Sequence, residues 1–217
     1  MSVRHHALMV GVNEYDNLTC LQGALNDVLA LKEALGSRCE SHEVIENPTR
    51  DVFINALTHC EECNFKGDDI LWFFFCGHGC QLEGNDLLIP CNAAKPDSVN
   101  FTDGCVTSVM KALTSTGAGK VIMLIDACRE HEDGGLDTAL IGLPTVTYKA
   151  DQNVAVFFAC SQGQYSYEGS IQGKRHGIFT KTVLDVLEDK MVRTVLEFDG
   201  CLRERMPTWT GKMGGKQ

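Results

Sequence analysis

Long apolar runs are missing from this sequence. None exceeds the length of Ile70–Cys76, far short of the roughly 20 residues a membrane helix needs, so no membrane span is expected. The first six residues, Met1–His6, lack the extended apolar stretch of a signal peptide, and a cytoplasmic chain is expected. Basic charge is also in short supply, with 19 Lys and Arg against 29 Asp and Glu, a net charge of −10. A general nucleic-acid binder needs a basic face, so that class is set aside. The acidic balance mildly favours a cationic partner or substrate. Internal repeats and low-complexity tracts are absent too, and 44% hydrophobic with 22% charged residues is the composition of a folded globular chain.

Cysteine, by contrast, is plentiful: eleven residues from Cys20 to Cys201, an odd number. A secreted disulfide scaffold is normally shorter and evenly paired, so reduced thiols are expected, with Cys76 and Cys160 as small core residues. His59-Cys60-Glu61-Glu62-Cys63 holds one CxxC, and His78 lies two residues before Cys80. A structural zinc site wants four ligands, usually two such pairs. The second pair is lacking, and no metal is expected.

The 217 residues suit one α/β domain with a real core. Ala7–Val12, His42–Ile45, Asp69–Cys76, Leu87–Pro90, Val121–Ile125 and Val154–Cys160 are predicted strands. Helices are predicted over 21–35, ended by Gly36; from a Thr49 cap to Glu62; over Val106–Leu113; over Ile178–Asp189; and from the Thr194-Val195-Leu196-Glu197 capping box toward Met206. Residues 129–153 and Ser161–Gly177 are expected as long loops, and 210–217 as a flexible tail after a domain over 1–209. Alternating strands and helices indicate layered α/β architecture around a mostly parallel sheet.

Open parallel sheets carry their sites beyond the carboxyl ends of the strands. Two predicted strands end in reactive residues: one in Cys76-Gly77-His78-Gly79, the other in Asp126-Ala127-Cys128-Arg129. A thiolate is a nucleophile and a nearby imidazole generates it. Glycine beside the histidine lets backbone N–H groups approach a substrate carbonyl and hold its oxyanion.

Asp126-Ala127-Cys128-Arg129-Glu130 matches three of the five positions of the caspase signature, and His78 lies 50 residues upstream of Cys128. The chain therefore resembles the caspase-like cysteine proteases, the clan of caspases, metacaspases and paracaspases. Ala7–Asn13, Gly23-Ala24-Leu25-Asn26-Asp27-Val28 and Ala159-Cys160-Ser161-Gln162-Gly163 extend the likeness over most of the chain. The resemblance implies a three-layer caspase-like sandwich, its mostly parallel central sheet covered by helices on both faces. The paracaspase branch fits best. Asp126 replaces the glutamine of true caspases, Asp27 stands at an acidic pocket position, and Glu168 follows Gly163 by five residues.

By this resemblance Asp27, Asp126 and Glu168 line the S1 pocket, which suits a guanidinium held by carboxylates. Cleavage after arginine, with lysine second, is the expected activity. Cys128 would attack the carbonyl, His78 would help form the thiolate and protonate the leaving amine, and the N–H groups of Gly79 and Cys128 would hold the oxyanion. Expected partners are protein or peptide substrates and a second copy of the chain as a homodimer. The alternatives are a catalytically silent caspase-fold scaffold, a basic-peptide-binding module, and a calcium-dependent metacaspase-type protease. Metacaspases typically follow the nucleophile with His-Ser-Gly rather than Arg129-Glu130. No cofactor is expected, but Glu130, Glu132 and Asp133 cluster acid without forming a recognised calcium loop, so calcium dependence is left open. Self-cleavage in loop 129–153, at Lys149-Ala150, is conceivable, whereas Arg129 is too near the nucleophile.

Overall fold

In a computed structural model, residues 3–82, 85–128, 145–149, 153–161, 166–171 and 173–212 are described. Outside them lie Arg129, Glu130, Glu132, Asp133, Ala150, Gln162, Gly163 and the last five residues.

The core is a six-stranded sheet of β1 (His5–Gly11), β2 (Ser41–Glu46), β3 (Ile70–Cys76), β6 (Lys120–Asp126), β7 (Thr145–Lys149) and β8 (Val154–Phe158), in the order β2-β1-β3-β6-β8-β7. All neighbours are parallel except β7, which runs antiparallel to β8. Central parallel strands are buried on both faces, which is why β3 and β8 read as unbroken apolar runs. Alternate residues then feed opposite layers. Phe73 and Phe75 of β3 join α2 (Arg50–Glu62) and α4 (Val109–Ser115). Phe74 and Cys76 join α1 (Ala24–Leu35), α5 (Ile178–Leu187) and α6 (Val195–Lys212). Helices on both faces of the sheet make the three-layer α/β sandwich. Phe73 is fully buried, and truncating such a residue to alanine costs about 3–5 kcal/mol.

Local signals set several boundaries. The Thr49 hydroxyl accepts from the Val52 N–H and starts α2. Thr194 and Glu197 form the reciprocal capping box of α6: Glu197 Oε2 accepts from Thr194 N at 2.9 Å, and Thr194 Oγ1 from Glu197 N at 3.2 Å. Gly36, at φ +38°, closes α1.

Four expectations need correction. The glycine break after β3 continues as β4 (Gly79–Leu82), paired antiparallel with β5 (Asn85–Leu88). The predicted helix over Val106–Leu113 begins later, at Val109, because Val106 bridges to Leu88; a short turn, α3 (Phe101–Gly104), precedes it. The two predicted loops contain β7 and the hairpin of β9 (Glu168–Ile171) with β10 (Lys174–Gly177). Finally, α6 runs through 210–212 rather than ending in a tail at 210. Thr210 bonds back to the Met206 carbonyl, and Trp209 sits under the ammonium groups of Lys181 and Lys212. Among the described residues no helix is long and apolar enough to cross a membrane.

Candidate active site

β3 and β6 are hydrogen-bonded neighbours whose last residues, Cys76 and Asp126, are register partners. Their C-terminal loops therefore leave the sheet side by side, and the Gly77 N–H donates to the Asp126 carbonyl at 3.2 Å. Gly79 closes the approach. A Cβ there would lie 2.9 Å from Ala127 Cβ and 3.1 Å from the Cys128 carbonyl oxygen, so only glycine admits this contact without a shift. His78, Gly79 and Cys128 are thus brought to one place by strand adjacency and by the lack of a side chain at 79.

His78 is held from two sides. Its backbone N–H donates to the Tyr15 hydroxyl at 2.7 Å, and its ring packs on Tyr15 at 4.7 Å between centroids. Its Nε2 lies 2.8 Å from the Thr19 carbonyl oxygen. A carbonyl only accepts, so this bond places the proton on Nε2 and leaves Nδ1 as the basic nitrogen of the neutral ring. Burial keeps the Tyr15 hydroxyl protonated, against the pull of the His78 N–H that it accepts. The half-buried Cys128 thiol lies 3.8 Å from the Ser166 carbonyl.

The three carboxylates come from three separate elements. Asp27 lies in the first turn of α1, Asp126 ends β6 and Glu168 opens β9. Asp27 accepts from His176 Nδ1 at 2.7 Å and from the Gly177 N–H at 2.8 Å; the Cys76 thiol lies 3.5 Å away. Asp126 accepts from Ser166 Oγ at 2.5 Å, from Thr180 Oγ1 at 2.6 Å and from the Thr180 N–H at 3.2 Å. Glu168 accepts from the Gly23 N–H at 2.8 Å and pairs with Arg175 Nε at 3.3 Å. Gly177 is wedged between the two aspartates: a Cβ there would fall 2.2 Å from Asp126 Oδ2 and 3.1 Å from Asp27 Oδ2.

Burial dominates the electrostatics. Asp27 is fully enclosed and Asp126 is 4% exposed, whereas a fifth of the Glu168 side chain meets solvent. Burial, with repulsion from Asp126, pushes the Asp27 carboxyl up to about 7; the bonds from His176 and Gly177 oppose it. Asp126 is raised likewise by burial and by Glu168, against its bonds from Ser166 and Thr180. The Cys76 thiol, buried beside both aspartates, stays protonated. Asp27, Cys76 and Asp126 gather ligand-type atoms within 4.8 Å. Both carboxylates of this set also accept hydrogen bonds from protein donors. Of the CxxC thiols, burial pushes Cys60 up to about 12, and Cys63 bonds back to the His59 carbonyl at 3.4 Å.

Sequence reasoning missed Tyr15, the Thr19 carbonyl, Ser166, His176 and Thr180. A backbone carbonyl leaves no mark in sequence. His176 could have been noticed as the residue before Gly177, at the start of a strongly apolar helix.

The chain is 27% identical over 201 residues to the mucosa-associated lymphoid tissue lymphoma translocation protein 1 homolog of Mus musculus, covering 88% of this chain and 22% of that protein. It is 26% identical over 193 residues to metacaspase-1 of Plasmodium falciparum (75% and 30%) and 24% identical over 190 residues to a paracaspase of Dictyostelium discoideum (85% and 44%). The chain thus spans less than half the length of each of these relatives. The family model of the caspase domain matches residues 4–217, and the chain belongs to this family of caspase-like cysteine peptidases.

Proposed function

We propose that the chain is a cysteine endopeptidase that cleaves after arginine, with lysine second, using Cys128 as nucleophile and His78 as its base and acid. The observation that carries the reading is the meeting of the His78 and Cys128 loops across Gly79, beside a cluster of three carboxylates. His78 Nδ1 takes the thiol proton, Cys128 Sγ attacks the scissile carbonyl, and the Gly79 and Cys128 N–H groups receive the oxyanion. The imidazolium then protonates the leaving amine, and water hydrolyses the acyl-enzyme. The Thr19 carbonyl supplies the orienting acceptor that a side chain gives in a triad.

Arginine specificity is supported by Asp27, Asp126 and Glu168 lying together, since a planar guanidinium can bond carboxylates in pairs. The substrate guanidinium would displace partners present here, Arg175 on Glu168 and Ser166 on Asp126. Aspartate at P1 would meet like charge. Protein substrates are part of this reading. So is a homodimer, which would pair along β7, the last strand of the sheet among the described residues.

Hydrolysis of fluorogenic peptides with arginine or aspartate at P1, by wild type and by Cys128→Ala, tests the proposal. Turnover of the arginine peptide alone, absent in the variant, is expected. Aspartate-only turnover would overturn the pocket reading. Arginine-peptide binding without turnover, in both proteins, would favour a basic-peptide-binding module. Neither binding nor turnover would favour a scaffold.

A further inference from the structure

We infer that His176 is the positioning residue of the arginine pocket: its Nδ1–H holds Asp27 Oδ1 in the orientation and charge state that a substrate guanidinium requires. This rests on the arginine-specific reading above.

Consecutive residues of one hairpin grip both oxygens of Asp27. His176 Nδ1 takes Oδ1 at 2.7 Å, and the Gly177 N–H takes Oδ2 at 2.8 Å. Two donors on two oxygens fix the plane of the carboxylate and still leave acceptor sites for a guanidinium. The charge state is the harder matter. Asp27 faces Asp126 at the end of β6 and Cys76 at the end of β3; Glu168 on β9 acts on those two, while β10 brings Arg175 and His176. α5 contributes the uncharged Thr180. Of these neighbours, Arg175 is spent on Glu168. Two adjacent buried carboxylates resist ionising together. The His176 hydrogen bond is the strongest influence opposing the burial that would keep Asp27 neutral. Without that donor, Asp27 would hold its proton to higher pH and pair less readily with arginine. The imidazole is itself almost enclosed, so water does not readily replace it. His176 touches neither the thiol nor the scissile bond in this assignment, so its effect belongs to substrate affinity.

The test compares wild type with H176N, H176A and H176L. It measures kcat and KM against pH on an arginine peptide, and the rate of Cys128 alkylation by iodoacetamide as a check on the dyad. Asparagine keeps an N–H donor near the Nδ1 position; alanine and leucine remove it, leucine with volume retained. Loss of a hydrogen bond to a charged group corresponds to about a ten- to hundredfold change, and that rise in KM is expected for H176A and H176L, with little change in kcat. The acid limb of kcat/KM should move to higher pH in both. H176N should restore most of KM and the limb. Wild-type KM and an unmoved limb in H176A or H176L would overturn the proposal. Unfolding of both would show a structural contact and overturn it equally. If wild-type Cys128 alkylates but no arginine peptide is cleaved, the arginine reading itself fails and His176 falls with it.

Discussion

The Thr19 carbonyl oxygen lies 2.8 Å from His78 Nε2, so a main-chain group fixes the tautomer of the proposed catalytic histidine. Nitrogen-15 chemical shifts of the resting protein should show Nε2 protonated and Nδ1 bare. His78→Ala should lower kcat by about 10²–10⁴-fold without changing the fold, as read by far-ultraviolet circular dichroism. A resting ring with the proton on Nδ1 would contradict the assignment.

Tyr15 is expected to behave as part of the same apparatus. Tyr15→Phe keeps the ring under His78 but removes the acceptor of its backbone N–H. Leaving such a group unsatisfied costs about 1–3 kcal/mol. A lower denaturant midpoint together with a reduced kcat is the expected result. Loss of stability with kcat intact would confine Tyr15 to the fold.

Gly79 offers a steric test of the loop junction. In Gly79→Ala the new methyl would meet Ala127 Cβ and the Cys128 carbonyl, and overpacking of this kind costs about 1–3 kcal/mol. The two loops must part, so Cys128 alkylation and peptide turnover should change together. A fully active, fully stable variant would mean that the loops are not held in register by this contact.

The pH dependence of stability follows from Asp27. Burial raises its folded-state value to about 7 from an ordinary 3.8, so between those values the folded chain holds the proton more tightly than the unfolded chain. Asp27's favourable contribution is complete below pH about 4 and is lost as pH rises through about 7. Asp126, raised in the same direction, adds to the trend. Asp27→Asn should therefore raise the Tm relative to wild type at pH 8 much more than at pH 5, while turnover after arginine is lost. An equal Tm difference at both values would show that Asp27 is not protonated in the folded state.

In the proposed pocket Arg175 would compete with a substrate for Glu168. Its side chain is half exposed and pairs at 3.3 Å, a contact worth at most about 1 kcal/mol to stability. Arg175→Gln should leave Tm nearly unchanged and lower KM for arginine peptides severalfold. An unchanged or higher KM would show that the pair does not shield the pocket.

Much of this molecule was legible before its coordinates. The runs ending at Cys76 and Asp126 are central strands because both faces are buried, and that burial writes itself into sequence as unbroken apolar residues. Thr49 and the Thr194–Glu197 box act within a single turn, so local chemistry placed them. The β9–β10 hairpin was hidden for the opposite reason. Its strands are four residues each, polar and glycine-bearing, and they are ordered by partners far away in sequence. His176 meets a residue 149 positions upstream. The resemblance to known proteases led to Asp27, Asp126 and Glu168, but not to the donors that hold them, because those depend on how α5 seats against the sheet. The chain separation between Thr19 and His78 hid the orienting carbonyl in the same way.

Gly177, where β10 becomes α5, has a mechanical consequence. Its N–H is tied to Asp27, and one turn into the helix Thr180 is tied twice to Asp126. α5 cannot slide along the sheet by even part of a turn without releasing one of the two aspartates. A displacement of the outer helical layer is therefore also a change in acidity at its inner end. Strain applied to α6, which packs on α5 and grips it through Arg205 and the Asp185 carbonyl, would therefore reach both aspartates through Gly177 and Thr180.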